Sequence, residues 1–215
     1  MVIDLKTLYG VEAAEQQKRY EELSAYFAEE FGDANALSYF SAPGRTEVGG
    51  NHTDHNNGKV LAAAVNLDVI AAVKKTENGV IRLKSVGFPM DTVDTADLNV
   101  QEAEKERSAS LIRGVCARLK ALGYEVGGFD AVTTSRVLKG SGLSSSAAFE
   151  VLVVTILSHL YNDDAIDPVE AAQISKFAEN VYFGKPSGLL DQMAASVGGF
   201  TTCLLYTSPS PRDKR

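Results

Sequence analysis

A glycine-rich turn between a strand and a helix constrains this chain more than any other stretch. Asp130 to Val137 is a β-branched run, and Lys139-Gly140-Ser141-Gly142-Leu143 follows it. Apolar residues then recur at helical spacing from Ser144 to about Leu160. Glycines at such a junction remove the side chains that would block a close approach. The first-turn N–H groups of the helix lack intrahelical acceptors and point outward with the positive end of the dipole behind them. Such a turn suits phosphate, and the hydroxyls of Ser144, Ser145 and Ser146 add donors and one hard oxygen for Mg²⁺. The plainer alternative is an ordinary turn with Ser144 as the helix N-cap. The serine run favours a phosphate cradle.

The remaining segments predict a mixed α+β domain. Val11 to Phe31 carries Ala14, Tyr20, Leu23, Tyr26 and Phe27 at three-to-four spacing, an amphipathic surface helix closed by Gly32. Ala36 to Ala42 reads as a short strand that runs into a long polar loop over residues 43–58. Val60 to Lys74 is a pair of apolar, β-branched runs and Val80 to Val86 a third, so Lys59 to Val86 reads as a β-meander with a turn at Asn78-Gly79. Asp91 to Val100 is expected to be a connection, Gln101 to Leu122 a helix ending at Gly123, and Phe129 to Val137 the strand before the turn. A further helix runs from Asp167-Pro168 to about Val181. Leu189 to Ser196 forms a short helix, and Phe200 to Tyr206 begins a strand. Helices and strands mix without regular βαβ alternation, and no repeat is visible.

Composition narrows the function classes. A net charge of -7 over 215 residues disfavours a nucleic-acid surface. With no apolar run of transmembrane length and no signal-like start, the expectation is a cytoplasmic protein without membrane partners. Cys116 and Cys203 lie far apart, which argues against a disulfide framework and against structural zinc. The loop Pro43-Gly44-Arg45 to Gly58 gathers an arginine, His52, His55, Asp54 and several asparagines. Zinc on His52 and His55 is disfavoured because no cysteine or third histidine is near. Asn51, His52 and Asp54 offer the mixture of donors and acceptors that sugar hydroxyls need.

Three motifs in order carry a family resemblance. Gly-Ser-Gly-Leu-Ser-Ser-Ser-Ala resembles the phosphate motif of the GHMP small-molecule kinases. Pro-Gly-Arg followed by His-Thr-Asp and Asn-Asn-Gly resembles the galactokinase signature loop, and Glu179 followed by Gly-Leu-Leu-Asp-Gln at 188–192 resembles that family's later acidic segment. The match spans about Leu37 to Thr202. It departs at Asn51, where the family usually has glutamate, and at His55, where it has tyrosine.

The resemblance implies an N-terminal lobe of the GHMP fold, with a mixed sheet and helices like ribosomal protein S5 domain 2, over residues 1–203. It also implies only the start of a second lobe, with 204–215 an unrelated tail and the C-terminal domain missing, so that the chain alone is expected to be inactive. It further implies Asp191 as the catalytic carboxylate with Arg45 beside it, and Asn51, His52, Asp54 and Gly188 around galactose. The loop Gly140, Ser141, Gly142, Leu143, Ser144, Ser145 and Ser146 would hold the ATP phosphates, and Ser146 with Glu179 would hold Mg²⁺. The implied activity is transfer of the γ-phosphoryl group of ATP to the anomeric hydroxyl of galactose, by a monomer. The alternatives are a relative acting on galacturonate, arabinose or an N-acetylated sugar, and a non-catalytic sugar-and-ATP sensor.

Overall fold

The computed structural model describes residues 4–50, 59–138 and 140–204. Helix α1 (Leu5–Tyr9) starts at Asp4, whose carboxylate accepts from the amides of Lys6 and Thr7 at 2.9 and 3.0 Å. A short 3₁₀ turn leads into α2 (Ala13–Phe31), which buries Gln16, Tyr20, Leu23 and Phe27 along one stripe and stops at Gly32. That stripe meets Ile70, Ala72 and Val132 on the sheet. Burial of Leu23 and Phe27 against them stabilises by about 1.5–3 kcal/mol each. The helix expected at the surface therefore covers one face of the sheet.

Among the described residues the sheet has six strands: β1 (Ser38–Gly49), β2 (Lys59–Lys75), β3 (Val80–Ser85), β4 (Met90–Asp94), β5 (Phe129–Ser135) and β6 (Phe200–Leu204). Their order is β1-β2-β5-β3-β4, and β6 adds to the start of β2, pairing Lys59–Ala63, while β5 pairs Val69–Lys75. Strand β2 is buried on both faces where it is central. Ile70 and Ala72 turn toward α2, and Val69, Ala71 and Val73 turn toward the main core, which explains its near-continuous apolar sequence.

The sheet corrects several expectations. The two runs before Asn78-Gly79 are one strand, and no β2–β3 meander forms. Strand β5 lies between them, antiparallel to β2 and parallel to β3, with Ile81 opposite Phe129. Residues 43–49 are not loop, because β1 continues through Pro43-Gly44-Arg45 with register shifts at Pro43/Arg45 and Glu47/Gly49. The connection expected from Asp91 begins as β4, which pairs β3.

The second face of the sheet carries α3 (Ser108–Ala121), α4 (Ser145–Tyr161), α5 (Pro168–Phe177) and α6 (Leu190–Val197). The stretch expected as helix from Gln101 holds a 3₁₀ turn at Glu102–Glu104 before α3. The helix expected to run to Val181 changes at Ala178 into a π-helical turn over Ala178–Phe183. Helix α4 is apolar nearly all round, with Val151, Leu152, Val153, Val154, Ile156 and Leu157 buried, as a central helix must be. Among the described residues no helix is long and apolar enough to cross a membrane.

Candidate active site

Strand β1 and the glycine-rich turn are locked together at the mouth of α4. The Arg45 amide donates to the Leu143 carbonyl at 3.0 Å, and a Cβ on Gly44 would stand 3.0 Å from that same carbonyl. A side chain at Gly44 would push the turn away. Gly140 and Gly142 hold φ of +80° and +78°, the left-handed region that favours glycine. Ser144 is itself left-handed, with φ +57°, and its hydroxyl makes no helix cap. Ser144 does stand at the N-cap position of α4, but its hydroxyl donates to Asp191 Oδ2 and not to the first-turn amides.

Arg45 is 5% exposed and fixed at both ends of its guanidinium. Its Nε donates to Asp191 Oδ1 at 2.6 Å, and its Nη1 donates to the Gly142 carbonyl at 2.6 Å. Residues 146 positions apart thus form an ion pair, its arginine buried and its carboxylate half-buried, whose cation also closes the phosphate-type turn. Asp191 lies in the first turn of α6, so its position follows from the packing of that helix on β1 and β2, where Leu190 and Ala194 pack with Val60 and Ala62.

A second carboxylate sits beside the pair. Glu179, on the π-helical turn, is buried and accepts from Ser146 Oγ at 2.9 Å, Lys185 Nζ at 3.0 Å and Gln192 Nε2 at 2.7 Å. Gln192 also reaches Glu150 Oε2 at 3.3 Å. Burial, then the nearby Glu179 charge, raises the Glu150 carboxyl well above its ordinary value. For Lys185, burial pulls the ammonium down, but the Glu179 hydrogen bond and charge outweigh it and leave it above the usual lysine value. Sequence reasoning missed Glu150, Lys185 and Gln192. A signal existed for the first, since a glutamate within the apolar run from Ala147 to Leu157 requires a buried polar partner.

Arg45, Asp191 and Lys185 border a cleft of about 440 Å³. Of the residues named from sequence, Arg45, Gly140, Gly142, Ser144, Ser145, Ser146, Gly188 and Asp191 line it, and Glu179 lies behind Ser146. Ser141 turns its hydroxyl back to the Leu138 carbonyl at 2.6 Å, and Leu143 takes part through its backbone carbonyl and packs on the core. Neither lines the cleft. Asn51, His52, Asp54 and His55, along with Lys139 and residues 205–215, lie outside the described residues.

Comparison with known proteins places this arrangement. Residues 25–75 match the galactokinase galactose-binding signature, and residues 110–199 match the GHMP kinase N-terminal domain. The chain is 35% identical over 185 residues to the galactokinase of Lactococcus lactis subsp. lactis strain IL1403, covering 85% of this chain and 46% of that protein. The chain belongs to the galactokinase family of GHMP kinases. It is 32% identical over 180 residues to the galactokinase of Clostridium tetani, covering 82% of this chain and 45% of that one. The crystal structure of Lactococcus lactis galactokinase complexed with galactose superposes with a TM-score of 0.82 at 31% identity, over 89% of this chain and 50% of that chain. Methanococcus jannaschii mevalonate kinase, at 18% identity and TM-score 0.68 over 80% of this chain and 55% of that one, shares the fold. The chain spans about half the length of the curated galactokinases it matches.

Proposed function

We propose that this cleft transfers the γ-phosphoryl group of ATP to the anomeric hydroxyl of galactose, giving galactose 1-phosphate and ADP. The observation that carries the proposal is the Arg45–Asp191 pair at 2.6 Å on the rim of the glycine-rich turn, because it sets a carboxylate base and a buried cation against one cleft. The sugar would be held by Asn51, His52 and Asp54 from the signature loop and bordered by Gly188. The phosphates would lie along residues 140–146 at the N-terminus of α4.

Phosphoryl transfer leaves little covalent work to the protein, so positioning and charge decide the rate. Asp191 accepts the proton of the sugar O1–H as that oxygen bonds to the γ-phosphorus and the bond to the ADP oxygen breaks. Arg45 and Ser144 each hold one Asp191 oxygen, which fixes the carboxylate's plane toward the cleft. Arg45 also offsets negative charge on the transferring group.

Ser146 Oγ and Glu179 Oε1, 2.9 Å apart, are hard oxygen ligands, Glu179 Oε1 already attracts the Lys185 ammonium, and this ligand set fits Mg²⁺. Bound there, Mg²⁺ would neutralise charge on the nucleotide phosphates. The proposal is tested by ADP release with galactose, galacturonate, arabinose and N-acetylgalactosamine, using a protein that carries this chain at the length of its relatives. Galactose-dependent release supports it; turnover with another sugar and none with galactose rejects it.

A further inference from the structure

Among the described residues that line the cleft, the cations are Arg45 and Lys185. Arg45 is buried and spends its Nε and Nη1 on Asp191 and Gly142, so its place is fixed. Lys185 differs in every respect. Its side chain is 56% exposed, and its ammonium, with three N–H donors, meets Glu179 Oε1 at 3.0 Å. Glu179 itself is buried and also accepts from Ser146 and Gln192, so its carboxylate keeps two hydrogen-bond donors when the exposed ammonium leaves.

The root of this side chain is held by backbone hydrogen bonds, while the side chain itself is largely exposed. Gly184, at φ +88°, ends the π-helical turn, and the amides of Gly184 and Lys185 both donate to the Glu179 carbonyl, at 3.0 and 3.1 Å. Four methylenes then carry the ammonium over the cleft shared with Ser144, Ser145 and Ser146. Glu179 Oε1 serves Ser146 and Lys185 together, so a divalent cation arriving at that oxygen would repel the ammonium. A polyphosphate along the glycine-rich turn would attract it at the same moment.

We infer that Lys185 is a second phosphate-binding cation of the cleft, held on Glu179 before nucleotide arrives and transferred to the polyphosphate once a divalent cation takes its place. This rests on the cleft being the ATP-phosphate site. Sequence reasoning assigned Lys185 no role, and the inference gives the chain a nucleotide contact outside the glycine-rich turn.

The test is calorimetric titration of the 215-residue chain with tripolyphosphate, with and without Mg²⁺, beside Lys185→Met and Lys185→Arg. Lys185→Met is expected to bind tripolyphosphate with Mg²⁺ about tenfold more weakly, the size of one charge-assisted contact. Lys185→Arg, which keeps the charge, is expected to stay within about threefold of the parent. Mn²⁺ alone, followed by its electron spin resonance signal, is expected to bind Lys185→Met more tightly, because Glu179 has lost its competing cation. Lys185→Gln, read alongside, keeps the test decisive if the methionine variant aggregates. Equal tripolyphosphate affinity in parent and Lys185→Met overturns the inference and leaves the cleft's assignment standing. Failure of the parent itself to bind tripolyphosphate removes both.

Discussion

Replacing Glu150 with glutamine should stabilise this protein at neutral pH. Glu150 is fully buried on α4, and its Oε1, together with Oε1 of Gln192, is a buried acceptor with no hydrogen-bond partner among the described residues. Burial raises its carboxyl well above the ordinary range. The Glu179 and Asp191 charges add to that, against the opposing pull of the Gln192 hydrogen bond and of Lys185. The folded protein therefore retains a proton that the unfolded chain releases. Stability from this group is complete below the unfolded glutamate value and is lost as pH rises toward the folded one, at about 1.4 kcal/mol per unit of pH. An amide cannot ionise, and its NH₂ keeps a donor where the protonated carboxyl has its O–H. At pH 7 the gain in Glu150→Gln should thus be at least about 1 kcal/mol, and each kcal/mol raises Tm by about 2–4 °C at this chain length. Circular-dichroism melts from pH 5 to 9 read it directly. The parent should lose Tm more steeply than the variant as pH rises. Equal slopes, or a variant less stable throughout, would refute the reasoning.

Other substitutions probe separate links. Gly114→Ala should destabilise by about 1–3 kcal/mol in denaturant titration, because the new Cβ would stand 2.8 Å from Ala178 Cα and 2.9 Å from Tyr182 Cγ, where α3 meets the π-helical turn. Gly44→Ala should raise the ATP KM more than the galactose KM in steady-state assays, since the added methyl presses on the Leu143 carbonyl and on Val137 at 3.0 Å, against the phosphate turn. Ser146→Ala should raise the Mg²⁺ concentration needed for half-maximal turnover while leaving Tm nearly unchanged, because it removes one hard oxygen beside Glu179.

Much of the site is legible in the amino-acid sequence. Gly140 and Gly142 do adopt conformations that other residues avoid, and Arg45, Asp191, Ser146 and Glu179 converge as the motifs imply. Strand pairing is not legible. Asn78 does make the turn, accepting from Thr76 Oγ1 and from the Val80 amide, but a turn marks where a chain reverses and not which strand becomes its neighbour. The long-range match of Ile81 and Leu83 with Phe129 and Ala131 decides that. Pro43-Gly44 reads as loop punctuation, yet an edge strand at a register shift tolerates both. Met90–Asp94 reads as polar because it is an edge strand with Val93 as its buried residue. The π-helical turn is invisible because an apolar period cannot distinguish it from continued α-helix. Lys185 and Gln192 acquire meaning only when folding places them beside Glu179.

At the centre of the proposed mechanism, Asp191 takes the proton from the anomeric hydroxyl of galactose during phosphoryl transfer from ATP. ³¹P nuclear magnetic resonance of the reaction, comparing the parent with Asp191→Asn at the length of the family's kinases, tests it most directly. The parent should convert ATP to ADP with one equivalent of galactose 1-phosphate, and the variant should still bind ATP while its rate falls by about 10² to 10⁴, the loss expected on removing a positioned base. Galactose 1-phosphate formed by Asp191→Asn at the parent's rate, or a phosphorylated product carrying its phosphate on another hydroxyl, would contradict the account.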